Sequence, residues 1–84
     1  MLTVSVISPE RILFEGQASS VVAPAHDGEV GILPGHAPMM TLLGRGVLRL
    51  TGGAAPDQRF EVTGGFLQVV DDTVRVVTEQ ARPG

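Results

Sequence analysis

The chain has 84 residues, nine acidic against six basic, for a formal charge of −3, and three phenylalanines are its only aromatics. That length holds one small domain, 1–84, and the six scattered arginines form no basic stripe with interleaved aromatics, which excludes a nucleic-acid surface. The absence of cysteine excludes disulfides and thiolate-held metals, and no apolar run reaches the ~20 residues of a membrane-spanning helix, so no direct membrane insertion is expected.

Glycine (11) and proline (6) are frequent, and they fall as punctuation between short apolar runs rather than in low-complexity tracts. Leu2, Val4 and Val6 alternate with Thr3 and Ser5, which predicts a half-buried first strand. Ser8-Pro9-Glu10 reads as a turn. Ile12 and Phe14 share one face of a second strand that Gly16 ends or bulges, and Ser20 to Ala23 form a third that Pro24 terminates. His26-Asp27-Gly28 carries hairpin-turn chemistry.

Gly28 to Pro38 is the most distinctive stretch: Gly-Glu-Val-Gly-Ile-Leu-Pro-Gly-His-Ala-Pro. Pro34-Gly35 suits the centre of a type II turn, where proline presets φ and glycine takes the positive φ. Pro38 keeps Ala37 extended, so the stretch is a short strand, a rigid corner and a second strand from Met39. Along Met39 to Leu43, alternation buries one set and turns the other outward. The outward set is Met39, Thr41 and Leu43, or else Met40 and Leu42. An outward Met/Leu stripe on so small a domain suits a protein partner better than water.

Further strands follow at Val47–Thr51, Arg59–Thr63, Phe66–Val70 and Val74–Thr78, with Gly52 to Asp57 as the loosest loop. Leu48, Leu50, Phe60 and Val62 point to the same core as the first strand. About nine strands at roughly 7–10 residue spacing mark an all-β fold, a small antiparallel β-sandwich or flattened barrel.

Chemistry is sparse. His26, Asp27, Glu29 and His36 are close in sequence, but their spacing matches no helical pair and a Pro-Gly corner intervenes, so exposed loop residues are the better reading. Asp71-Asp72 reads as a hairpin turn rather than an acid/base pair, and the serines at 5, 8, 19 and 20 lack an evident base. Gly52-Gly53 and Gly64-Gly65 precede no helix that could hold a phosphate. No catalytic residue, cofactor or metal is expected. The alternative is a free-standing sandwich with a His/Glu metal site, possibly hydrolytic.

Residues 28–38 closely resemble the signature of the epsilon subunit of bacterial and chloroplast rotary ATP synthases. The likeness continues in Val6-Ile7-Ser8-Pro9-Glu10, Leu13-Phe14-Glu15-Gly16, Gly46-Val47-Leu48-Arg49-Leu50 and Gly64-Gly65-Phe66-Leu67-Gln68-Val69. The resemblance implies a β-sandwich of ten strands with no active site of its own. It implies a place in the central stalk, bound to the gamma subunit and to the ring of c subunits, where the domain helps couple rotation to ATP synthesis. By motif position, Glu29 and His36 match ring-facing residues, with Glu29 opposite an arginine-bearing loop. Ser8, Met39, Met40, Thr41 and Leu42, with Val77, Thr78, Glu79, Gln80 and Ala81, match gamma-facing ones. Val77-Thr78-Glu79-Gln80 departs from the family's usual Leu-Ala-Asp-Thr, so a shift in the detail of that contact is expected. The implied location is peripheral, at the cytoplasmic face of the bacterial membrane. Members usually continue into a C-terminal helical hairpin that brakes ATP hydrolysis and in some binds ATP, and neither role is expected of residues 1–84.

Overall fold

A computed structural model describes residues 1–53 and 56–84. Ala54 and Ala55, in the loop expected to be the loosest, lie outside the described residues. The described residues form ten strands: β1 Leu2–Ile7, β2 Ile12–Ala18, β3 Ser20–Ala25, β4 Gly28–Ile32, β5 Met39–Leu42, β6 Arg45–Thr51, β7 Gln58–Thr63, β8 Gly65–Val70, β9 Thr73–Thr78 and β10 Ala81–Pro83. They make two five-stranded sheets, sheet A in the order β2-β1-β9-β8-β5 and sheet B in the order β10-β7-β6-β3-β4. The β-sandwich expected from the strand spacing is the fold.

Period-two burial drives the two layers together. Leu2, Val4, Val6, Leu67, Val69, Val74 and Val76 from sheet A are fully buried against Val21, Ile32, Leu48, Leu50, Phe60 and Val62 from sheet B. At ~25 cal/mol per Å² of apolar surface, this shared core is the main stabilising term of the domain.

Among the described residues, all strand pairings but one are antiparallel. β1 lies parallel to β9, Thr3 opposite Thr73 and Ile7 opposite Val77, so the first strand has β2 on one flank and takes its other neighbour from the ninth strand. That long-range pair is invisible to local pattern.

Two local expectations change, and the tenth strand that the family resemblance implies is present. Gly16 neither ends nor bulges β2. The Phe14 ring packs over it, 3.1 Å from where a Cβ would stand, and the register shift falls instead between Val6 and Ile7. Pro24 lies inside β3 opposite Glu29 rather than ending the strand. It lacks a donor, yet its carbonyl accepts from the Gly44 amide at 2.8 Å, and Gly46 leaves room for its ring, a Cβ there falling 2.8 Å from Pro24 Cβ. The tenth strand, which residue pattern alone does not show, is three residues long and pairs Pro83 with Phe60 at the edge of sheet B.

One side of the sandwich is closed by β4 and β5, the outermost strands of the two sheets, joined by the corner 33–38. Strand directions put that corner at the same end as the 71–72 turn. The turns after Ile7, Ala25 and Thr78 lie at the opposite end.

Candidate interaction surfaces

The corner forms as its residues dictate. Gly35 has φ 87°, and the His36 amide donates to the Leu33 carbonyl at 3.1 Å, closing the predicted turn. Leu33 at the turn is 62% exposed, while His36 is half-buried with Nδ1 2.8 Å from the Ala37 carbonyl.

Glu29 is elsewhere on the same side. It lies near the start of β4, so three residues of strand, roughly 10 Å, separate it from Ile32 before the corner begins. Its carboxylate accepts from Arg49 Nη2 at 3.0 Å, an ion pair across the outer face of sheet B. Glu29 and His36 therefore share an edge but do not touch. His26 and Asp27 form the two-residue β3–β4 turn at the far end, and among the described residues no three His, Asp or Glu side chains are grouped to hold a metal.

The β5 alternation resolves one way: Met40 and Leu42 face outward, 64% and 62% exposed, and Met39 packs against the core. Cross-strand register then assembles something larger. Leu42 lies opposite Phe66, Phe66 opposite Val77, Val77 opposite Ile7, and Ile7 opposite Ile12. One apolar row thus crosses all five strands of sheet A on its outer face. Its ends are open, Leu42 at 62% and Ile12 at 57% exposure. The next row, Met40, Gln68, Arg75, Ser5 and Glu15, is mostly polar, and the third, Val70, Thr73, Thr3 and Gln17, is polar but for the exposed Val70. An apolar core bordered by a polar rim is the anatomy of a protein interface.

Of the positions matched to the gamma subunit, the structure brings Leu42 and Val77 into that row with Met40 beside it. Ser8 follows Ile7, and Glu79 and Gln80 stand exposed at the same end. Ser8 and Thr78 present little: each is buried and its hydroxyl donates within its own turn, Ser8 to the Arg11 carbonyl at 3.2 Å and Thr78 to the Gln80 carbonyl at 2.9 Å. Met39, Thr41 and Ala81 are half-buried. Sequence reasoning missed Ile7, Ile12 and Phe66, because only the register shows that they are neighbours.

The delta/epsilon chain β-sandwich domain of ATP synthase matches residues 1–84. This chain belongs to that family. Named ATP synthase epsilon chains are close relatives: one from Leptospira borgpetersenii is 47% identical over 78 residues, covering 93% of this chain and 61% of its own length. Another, from Parvibaculum lavamentivorans, is 42% identical over 82 residues, covering 98% and 62%. The chain therefore spans about three fifths of the length of the epsilon chains it matches. Among solved structures, a chain of the Euglena gracilis mitochondrial ATP synthase (OSCP/F1/c-ring) superposes with a TM-score of 0.88 at 21% identity, covering 98% of this chain and 52% of that one. One from the Tetrahymena thermophila mitochondrial ATP synthase central stalk and c-ring gives 0.77 at 19% identity, with 98% and 66% covered. At those identities the two structures establish a shared fold alone.

Proposed function

We propose that this domain is a non-catalytic coupling element of an ATP synthase central stalk, docked on the gamma subunit by the outer face of sheet A and on the c-subunit ring by the β4–β5 side with Glu29 and His36. In this reading it is a peripheral component at the cytoplasmic face of the bacterial membrane, and no helix among its described residues is long and apolar enough to cross one. The observation that carries it is the apolar row Leu42, Phe66, Val77, Ile7 and Ile12, bordered by polar rows, in a family whose relatives are epsilon chains. Support for the ring contact comes from the match of Glu29 and His36 to the family motif and from solved relatives drawn from assemblies that include a c-ring.

The row's exposed ends allow a test without disturbing the core. Leu42→Asp and Ile12→Asp each put a charge where burial of an apolar side chain contributes about 1.5–3 kcal/mol, so each should weaken gamma binding at least about tenfold. Titration of gamma with each variant, beside its melting curve, checks this. Parent-like affinity in both variants would remove the face from the interface.

A further inference from the structure

Gly35 occupies the third position of its turn, so its amide is not the one that closes it; that role belongs to His36. The Gly35 amide instead donates to Asp72 Oδ1 at 2.7 Å, across a sequence separation of 37 residues. Asp72 lies in the β8–β9 turn, and its own carbonyl accepts from the Thr3 amide at 2.8 Å. One residue thus ties the corner 33–38 to the centre of sheet A, with its backbone on β1 and its side chain on the corner.

The choice of aspartate is not explained by the hairpin alone. Asp71 and Asp72 have φ of 50° and 58°, the left-handed pair of a two-residue I′ turn. Glycine would meet that requirement with less strain than a carboxylate. What the carboxylate adds is an anionic acceptor for a backbone amide, a shorter and stronger bond than a neutral pair makes. Pro34-Gly35 and the His36–Leu33 bond set the local turn, but among the described residues the Asp72 contact is the hydrogen bond that ties residues 33–38 to another element.

We propose that Asp72 is the positioning residue for the docking corner, holding Leu33 to Pro38 from the β8–β9 hairpin in the shape that meets the ring. This rests on the reading that the corner faces the ring. Preorganisation of this kind acts by removing the ordering cost of docking, so its signature is in the association step rather than in fold stability.

Asp72→Gly separates the two roles of the residue, because glycine keeps φ 58° without strain while the acceptor is lost. Asp72→Asn keeps an acceptor oxygen and tolerates the same φ, and Asp72→Lys, a second variant without an acceptor, covers any folding defect of the first. In the full 84-residue chain, amide hydrogen exchange at Gly35 should rise about five- to tenfold in Asp72→Gly, the weight of one net hydrogen bond. Association with purified c-ring in nanodiscs should slow by a similar factor while gamma affinity and melting temperature hold. Asp72→Asn, whose acceptor is neutral, should restore both in part. Unchanged Gly35 exchange in Asp72→Gly and Asp72→Lys would overturn the proposal. So would faster exchange with parent-like ring association, if Leu33→Asp in the same assay blocks docking; the ring-facing reading of the corner then stands without Asp72. Should Leu33→Asp also dock like the parent, the ring reading fails and the role of Asp72 falls with it.

Discussion

In the isolated domain the Glu29 carboxylate already has a cation, Arg49 at 3.0 Å, with the two side chains 63% and 41% exposed. A basic loop of the ring would share or displace that partner rather than meet a bare charge. Exposed pairs contribute only ~0–1 kcal/mol and salt screens them further, so Arg49→Gln should leave the melting temperature nearly unchanged. It should also free the carboxylate and tighten ring attachment slightly at low salt. Glu29→Gln should weaken attachment modestly and leave gamma binding intact. Glu29→Arg should do more harm, since it sets like charge against Arg49 and against the arginine loop that the family resemblance implies. Proton pumping in reconstituted vesicles at low and high salt checks the order, and parent-like pumping by Glu29→Arg at low salt would remove Glu29 from the contact.

Strands, not single side chains, hold the core, and β7 shows how. Phe60 is 5% exposed, faces Leu48 across the β6–β7 ladder, and is covered on its other flank by β10 through Pro83. Replacing it with alanine removes the largest apolar contribution of β7 and leaves a cavity that the flanking strands cannot close. Phe60→Ala should cost about 3–5 kcal/mol, a large part of the ~5–15 kcal/mol available to a domain. Denaturant unfolding measures it. Ile12→Ala on the outer face, 57% exposed, is the internal contrast and should cost far less. Equal losses in the two would mean that the assigned core is wrong.

At the scale of the molecule, the proposed reading gives the two contacts different faces of the sandwich. The apolar row crosses the outer face of sheet A at the end bearing Ser8 and the 79–80 turn, and the edge proposed to face the ring runs along β4 from Glu29, near that same end, to the corner at the other. Contacts on two faces of one sandwich would suit the proposed coupling element, which must transmit torque without yielding. The braking of ATP hydrolysis belongs, in the family this chain resembles, to a helical hairpin and not to the sandwich. Residues 1–84 added to a complex depleted of its epsilon chain should therefore bind gamma and leave ATP hydrolysis largely unrestrained. Steady-state ATPase rates would show it, and strong inhibition would give the sandwich a braking role of its own.

The sequence by itself determined what local chemistry controls. Alternation at Leu2, Val4, Val6, Phe60 and Val62 marked buried faces because side chains alternate across a strand whatever its neighbours are. Pro34-Gly35 specified the corner because each residue's φ preference acts on its own peptide unit, and the corner formed as expected with Gly35 at φ 87°. Only the tertiary structure decided who meets whom. Pro24 reads as a strand end until the Gly44 amide supplies its carbonyl with a partner and Gly46 supplies space for its ring. The row from Leu42 to Ile12 needs the registers of four strand pairs, one of them the parallel β1–β9 pair. The Glu29–Arg49 and Gly35–Asp72 contacts join residues 20 and 37 positions apart. Register is set by the packing of both sheets at once, and a slip of one residue would turn every one of these side chains to the opposite face.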